Sequence, residues 1–207
     1  SNTKATLYSF DYSKAVEANF RNNGHSINLN IFQGSILEMP FKANIFDHVI
    51  CLGVIQHTPK PEESFFNLSK VVKPGGQLTI DIYRKSWYHY IHWKYLLRPI
   101  TKHINQEILF KIITLFVPIL IPFSKFFKFI LGRFGARLIP IVEFSNIITD
   151  KKINKEWAIL DTFDMYSPAH DHPKSKKEVK NWYEKYGFEN ITIFYGDNGI
   201  VARGIKK

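Results

Sequence analysis

The sequence predicts an α/β fold with a mostly parallel sheet, an antiparallel C-terminal hairpin and an inserted helical segment. Residues 46–54 form a largely apolar run, which is typical of a strand covered on both faces of a parallel sheet. Strand-type and helix-type segments alternate along the N-terminal part of the chain. Asn198 and Gly199 separate two further strand-type segments, and this pattern indicates a hairpin.

The N-terminal elements follow from local patterns. Residues 5–13 contain a strand-type run that ends in Asp11. A helix is predicted over residues 13–24, because a serine at its start and a glycine at its end can cap it. Residues 27–32 are predicted to form the second strand, and residues 46–54 the third.

The later core elements are predicted in the same way. Residues 61–72 have an amphipathic helical pattern, with acidic residues in the first turn and lysines near the end. The Lys-Pro-Gly-Gly segment 73–76 is expected to end this helix, and residues 77–83 to form the fourth strand. Residues 175–188 contain the last predicted helix, and residues 191–205 form the hairpin.

Charge divides the chain into a neutral core and a basic insertion. The formal net charge is +10, and residues 84–155 contain thirteen Lys or Arg but only three Asp or Glu. We therefore predict a core of residues 1–85 and 156–207 and a basic, apolar helical lid at residues 86–155. The single cysteine, Cys51, is expected to be a buried small residue, and this cysteine usage favours a reducing, cytoplasmic location.

Four segments resemble one known family in their order and spacing. These segments read LYSFDYS, QGSILEMPF, FDHVICLGVIQH and VVKPGGQLTIDIY. They are similar to the class I, Rossmann-like S-adenosylmethionine-dependent methyltransferases, of the type 11/12-like group. The resemblance covers residues 1–83 and 160–206, and it implies S-adenosyl-L-methionine as the cofactor.

The resemblance also implies a set of cofactor-binding residues: Asp11, Tyr12, Ser35, Ile36, Leu52, Gly53 and Val54. An acidic residue at the end of a strand, such as Asp11, can accept hydrogen bonds from both ribose hydroxyls; the alternative is that it caps a turn. Ser35 stands where the family usually has Asp, so its hydrogen bond to the adenine amine is expected to be weaker. Gly53 permits close approach of the backbone to the methionine part.

His57 follows the third strand, where the transferable methyl group would meet the acceptor. A histidine there can take a proton from an acceptor hydroxyl, because imidazole exchanges protons near neutral pH. The alternative is that His57 only closes the strand end and shapes the pocket. Methyl transfer from a sulfonium does not require a base, because alignment and desolvation of the reactants can suffice.

Acceptor-binding residues are predicted on two segments: Tyr83, Asp164, Tyr166, His170 and His172. All except Tyr83 belong to residues 160–172, which the sequence predicts to be a loop. The resemblance to the methyltransferases implies that this segment faces the acceptor site. The aromatic residues of segment 87–95 are a further candidate lining of that pocket. No metal is expected, because no ligand set beyond the two histidines has suitable spacing.

The resemblance lacks one part of the family pattern. Family members have a first strand and a glycine-rich turn before the strand that ends in Asp11, and residues 1–4 cannot supply them. We therefore expect an N-terminally truncated chain, or a gap that a partner segment or a homodimer fills. The chain is accordingly expected to bind cofactor poorly.

Residues 102–144 are the least family-like part of the sequence. Phe, Ile and Leu recur there at helical spacing with Lys and Arg between them, which is consistent with an active-site lid or with a membrane-surface helix. The longest uncharged run, residues 112–124, has thirteen residues and two prolines, which is too short to span a bilayer.

The leading functional prediction is methyl transfer, with oxygen as the favoured acceptor atom, to a small or lipid-linked molecule that is apolar and anionic. Two alternatives remain. The first is a non-catalytic membrane-surface binding module on a degenerate methyltransferase scaffold. The second is a nucleic-acid methyltransferase, which the positive charge suggests but the apolar surroundings of that charge disfavour.

Overall fold

The computed structural model describes residues 4–86 and 92–207. These residues form two units, one comprising the chain up to Arg84 together with His172–Lys207, and the other comprising Lys85–Asp171. Five residues of the aromatic segment predicted to line the acceptor pocket, 87–91, lie outside the described residues.

The order of the elements along the chain is strand, helix, two strands, helix, strand, five helices and a C-terminal hairpin. They are β1 (Leu7–Asp11), α1 (Ala15–Asn23), β2 (Leu29–Gln33), β3 (Phe46–Leu52), α2 (Pro61–Val71), β4 (Val72–Ile82), α3 (Trp93–Thr101), α4 (Gln106–Leu131), α5 (Arg133–Ala136), α6 (Lys151–Tyr166), α7 (Lys176–Lys185), β5 (Phe188–Gly196) and β6 (Gly199–Lys206). A short 3-10 turn, Ile55–His57, follows β3. The predicted α/β fold with a C-terminal hairpin is confirmed.

The strands of the first unit form two sheets. β1 and β2 pair in parallel, and the second sheet has the order β3-β4-β6-β5. In the second sheet β3 and β4 are parallel, whereas β6 is antiparallel to both of its neighbours. β1 and β2 therefore pair with each other and not with the second sheet. Ile50 of β3 is 69% exposed, although its sequence is typical of a buried strand.

β4 differs from its predicted start. The Lys-Pro-Gly-Gly segment was expected to lie between helix and strand, but β4 begins at Val72, directly after α2. Val72 pairs with Phe46, and regular pairing resumes only at Gln77 opposite His48. The intervening residues form an irregularity in the ladder, because Gly75 has φ +78° and Pro74 has no amide hydrogen to donate.

The core of the first unit lies between the β3–β6 sheet, α2 and α7. Phe65 of α2 is fully buried against the rings of Trp182 and Tyr183 of α7. The hydroxyl of Tyr183 lies 2.9 Å from the carbonyl oxygen of Ala202 and 3.1 Å from that of Leu78, so it joins α7 to two strands. Ser175 and Glu178 form a capping box at the start of α7, which positions this helix.

The second unit consists of helices α3 to α6. Its core contains Leu109, Ile113 and Val117 of α4 packed with Ala158 and Ile159 of α6. The segment 160–172 was predicted to be a loop, but α6 continues to Tyr166. The sequence prediction of a loop was wrong because residues 154, 158, 162 and 166 are buried at helical spacing, and the Asp150 side chain caps the start of the helix.

α4 is one continuous helix from Gln106 to Leu131, although it contains Pro118 and Pro122. The uncharged run of thirteen residues, 112–124, lies within this 26-residue helix, so the helix is longer than the length that the run alone predicted. Among the described residues, this is the one helix that is long and apolar enough to cross a membrane by length and composition. These two properties alone are weak grounds for a membrane span, because core helices can share them.

Candidate functional site

Asp11 ends β1 and begins a tight turn. Its carboxylate oxygen Oδ1 accepts hydrogen bonds from the backbone N–H and the hydroxyl of Ser13, each at 2.7 Å. The Ser13 hydroxyl in turn accepts a hydrogen bond from the backbone N–H of Ala15. Tyr12, between them, is 79% exposed. The Asp11 side chain is exposed, so it presents its remaining acceptor positions to solvent at the carboxyl end of β1.

Ser35 and Ile36 lie on the turn that follows β2. The Ser35 hydroxyl accepts a hydrogen bond from the Leu37 backbone N–H, and Ile36 packs against the core of the unit. The side-chain amide of Asn67 on α2 donates to the carbonyl oxygens of Ile36 and Leu37, at 3.3 and 3.0 Å. Asn67 thus fixes this turn to α2.

The end of β3 presents backbone and apolar surface. Leu52 and Val54 are 58% and 43% exposed, and Gly53 between them has φ +68°, a conformation that favours glycine. The backbone N–H of Gly53 donates to the carbonyl of Asp81 on β4. The Asp81 carboxylate accepts a hydrogen bond from the Asn198 amide at 3.1 Å. Burial raises the pKa of the Asp81 carboxyl above its ordinary value, and the Asn198 hydrogen bond opposes this rise.

His57 and Tyr83 come together beyond the ends of β3 and β4. Their ring centroids are 5.2 Å apart and the ring planes are almost perpendicular, at 88°. His172 joins this group through its backbone, because its N–H donates to the carbonyl of Gln56 at 2.9 Å. The Lys174 N–H donates likewise to the carbonyl of Tyr83. The structure therefore groups three of the predicted catalytic and acceptor residues within the first unit.

Gln56, between Ile55 and His57, is fully buried. Neither its amide nitrogen nor its amide oxygen has a hydrogen-bond partner among the described residues. An amide that is buried without partners is costly, so such groups usually serve a bound group or a second conformation. Gln56 is therefore an additional candidate for the site at the end of β3.

Replacing Gln56 with Met is expected to raise the free energy of unfolding by about 1–3 kcal/mol, because it removes a buried amide without removing volume. Urea unfolding monitored by circular dichroism measures this change. Gln106→Met, at an exposed position on α4, is the control and should change stability by less than about 0.5 kcal/mol. A loss of stability in Gln56→Met would show that the amide has a partner in the working protein.

The other predicted acceptor residues belong to the second unit. Tyr166 is buried in its core, where its hydroxyl donates to the carbonyl of Pro140 and burial raises the pKa of the phenol. Asp164 lies exposed on the last turn of α6, and His170 is half-buried in the segment after it.

Asp171, between the two predicted histidines, has a structural role within the second unit. Its carboxylate forms ion pairs with Lys94 at 2.8 Å and Arg98 at 2.7 Å, and the side chains of all three residues are largely buried. Arg98 also donates to the carbonyl of Met165. Burial lowers the pKa of Lys94, and the neighbouring Asp171 opposes that effect.

Within residues 4–86 and 92–207, no group of three or more His, Cys, Asp or Glu could hold a metal ion.

The sequence did not predict three residues that contact predicted site residues or lie next to them in the chain: Asn67, Asp81 and Gln56. Gln56 adjoins His57, so a polar residue directly beside a predicted site residue was a usable signal. Asp81 continues the alternation of Gln77 and Thr79 with apolar residues in β4, so its position gave no distinct signal. Asn67 carries no comparable signal, because a polar residue on an amphipathic helix is expected to face solvent.

The residues at the ends of β1 and β3 suit a nucleoside with an apolar extension. Asp11 offers an exposed carboxylate for hydroxyl donors, and Gly53 exposes backbone without a side chain. Leu52 and Val54 add exposed apolar surface, and Gln56 adds an amide without a partner. This donor and acceptor set fits S-adenosylmethionine in its chemistry.

Comparison with known proteins identifies the N-terminal part of the chain. Residues 1–80 match the family model of the methyltransferase domain. The demethylmenaquinone methyltransferase of Staphylococcus haemolyticus is 21% identical over 193 residues, which cover 93% of this chain and 62% of that protein. The enzyme of the same name from Staphylococcus aureus is 21% identical over 175 residues, covering 84% and 54%. This chain therefore spans a little over half the length of these curated relatives.

Solved structures agree on the fold. A S-adenosylmethionine-dependent methyltransferase from Methanosarcina mazei superposes with a TM-score of 0.50 at 12% identity, covering 96% of this chain and 81% of that one. An O-methyltransferase family protein from Burkholderia thailandensis gives 0.51 at 11% identity, covering 97% and 43%. The predicted resemblance is confirmed in the domain sequence and in the fold, and S-adenosyl-L-methionine is the expected cofactor.

Proposed function

We propose that this protein transfers a methyl group from S-adenosylmethionine to a hydroxyl oxygen of a small or lipid-linked acceptor. Its residues 1–80 match the model of the methyltransferase domain, which supports the proposal. The grouping of His57, Tyr83 and the buried Gln56 amide beyond the ends of β3 and β4 is the observation that carries this proposal. In α/β sheets of this kind, ligands bind at the carboxyl ends of the strands.

The residues have distinct proposed roles. Asp11 accepts hydrogen bonds from the ribose hydroxyls, and the turn at Ser35 and Ile36 borders the adenine. The backbone around Gly53 holds the methionine part. The bound cofactor supplies an electrophilic methyl group on a sulfonium sulfur. His57 accepts the hydroxyl proton of the acceptor as its oxygen takes up the methyl group.

The acceptor is proposed to contain an apolar ring that carries a hydroxyl group and an anionic or lipid substituent. The names of the curated relatives specify demethylmenaquinone, so a quinone or quinol with a lipid substituent belongs in the acceptor screen. A product methylated on a ring carbon would contradict oxygen as the acceptor atom. The edge of the His57 and Tyr83 ring pair provides an aromatic surface for such a ring. The proposal includes an acceptor contact from His172, which belongs to the same unit as His57 and Tyr83. Asp164, Tyr166 and His170 belong to the other unit, and Tyr166 is buried in its core, so they are not part of the proposed site.

The decisive experiment combines cofactor binding with an acceptor screen on the protein that contains this chain. We expect one S-adenosylhomocysteine per chain in calorimetry, and methylated products from phenols or quinols identified by mass spectrometry. His57→Asn is expected to lower kcat by about 10²–10⁴-fold while leaving S-adenosylhomocysteine affinity within about twofold. An unchanged kcat would leave His57 with only a structural role at the strand end.

A cytoplasmic location is part of the proposal, and the unpaired thiol of Cys51 supports it. Cys51 is buried, and burial raises the pKa of its thiol to about 12, so it is neither a reactive nucleophile nor a disulfide partner.

Absence of cofactor binding in the protein that contains this chain would favour a different function, a non-catalytic module on this scaffold. Binding of S-adenosylhomocysteine only by a homodimer would favour completion of the site by a second copy.

A further inference from the structure

An uninterrupted apolar stripe lies on the exposed side of α4. It consists of Ile108, Ile112, Leu115, Ile119, Phe126 and Ile130, which we call the α4 stripe. The members are separated by three, four or seven residues, so they share one face of the helix. Each is between 41% and 63% exposed. Exposed apolar surface of this extent and regularity marks an interaction site in a folded protein.

The α4 stripe is distinct from the surface that α4 uses in the core. Leu109, Ile113 and Val117 occupy another face, where they pack with Ala158 and Ile159 of α6. The helix is therefore already anchored by one face. The stripe adds nothing to that packing, so its apolar character requires another partner.

Positive charge accompanies the stripe. Lys111 and Lys125 are exposed and lie immediately before Ile112 and Phe126 in the sequence. They belong to the stretch of residues 84–155, which carries the whole excess of positive charge in this chain. Apolar side chains on one face with lysines along its border are typical of helices that lie in the interface of an anionic membrane.

We propose that the α4 stripe docks this protein onto the surface of a bilayer that contains anionic lipids. The stripe enters the boundary between headgroups and acyl chains, and the lysines contact the lipid phosphates. A surface position is favoured over a transmembrane one because α6 packs along α4 with Lys151, Lys155 and Glu156 exposed. Those charges would have to enter the hydrocarbon if α4 crossed the membrane.

The experiment is co-sedimentation of the protein with vesicles of phosphatidylcholine alone or with about 30% phosphatidylglycerol. We expect binding to the anionic vesicles, weakened when salt is raised from about 0.1 to 0.5 M because screening reduces the charge contribution. The triple variant Leu115→Gln, Ile119→Gln, Phe126→Gln is expected to lower the partition coefficient by on the order of a hundredfold. Lys111→Gln with Lys125→Gln should remove most of the preference for anionic vesicles.

A matched control changes exposed apolar residues elsewhere. Phe20→Gln with Ile27→Gln alters two exposed side chains of the first unit and should leave vesicle binding unchanged. S-adenosylhomocysteine affinity, measured on every variant, separates this proposal from methyl transfer, because docking does not depend on cofactor binding. Equal binding of the triple variant would overturn the proposal. Two other results would also overturn it. Resistance of the bound protein to extraction by alkaline carbonate would show that α4 spans the bilayer. A dimer in sedimentation velocity that is lost in the triple variant, without any binding to vesicles, would show that the α4 stripe binds a second copy of the protein.

Discussion

Replacing Asp11 with Ala is expected to lower the affinity for S-adenosylhomocysteine by on the order of a hundredfold. The carboxylate is exposed at the end of β1, and only its Oδ1 atom is engaged in the local turn. Two hydrogen bonds from ribose hydroxyls to a charged acceptor, each contributing about 1.5–3 kcal/mol, account for an effect of this size or larger. Calorimetric titration of both proteins measures the ratio.

Two controls separate ligand binding from the turn. Asp47→Ala removes an exposed carboxylate at the start of β3, where it pairs with Lys73, and should not change the affinity. Asp11→Asn keeps an oxygen that can accept from Ser13 and therefore preserves the turn, but it lacks the charge. We expect Asp11→Asn to bind about tenfold less tightly than the original protein. Equal affinity in Asp11→Ala would assign Asp11 to the turn alone.

Phe65→Ala is expected to destabilise the protein by about 3–5 kcal/mol, a large part of the stability of an ordinary domain. Phe65 is fully buried, and its ring contacts Trp182, Tyr183 and Phe188 on two other elements. Truncation leaves a cavity where α2, α7 and β5 meet, and rigid strands limit its collapse. Urea unfolding gives the difference in free energy.

The adjacent residue provides the control for this substitution. Phe66 lies on the same helix but is 36% exposed, and its ring contacts Tyr186 at the edge of the unit. Phe66→Ala should therefore cost less than about 1.5 kcal/mol. Similar losses for the two variants would contradict a core centred on Phe65.

The candidate site was predictable in part. Asp11, Gly53 and His57 follow strands whose patterns are local, so a resemblance in four short segments was sufficient to locate them. Gln56 adjoins His57 in the sequence, but its full burial depends on elements that are distant in the chain, as the hydrogen bond from the His172 N–H to the Gln56 carbonyl illustrates. The ion pairs of Asp171 with Lys94 and Arg98 also join residues that are distant in the sequence, so no local pattern predicts them.

The sequence by itself determined the class of fold, the elements of the first unit and the charge of the insertion. Periodicity, capping residues and turn residues act over a few positions, so they can be read without a structure. Only the tertiary structure decided that the strands form two separate sheets, that α6 continues to Tyr166, and that one face of α4 is exposed. The physical reason is that pairing and burial depend on contacts between residues far apart in the chain. An apolar residue has the same local pattern whether a neighbouring element covers it, as for Ile113, or leaves it exposed, as for Ile119.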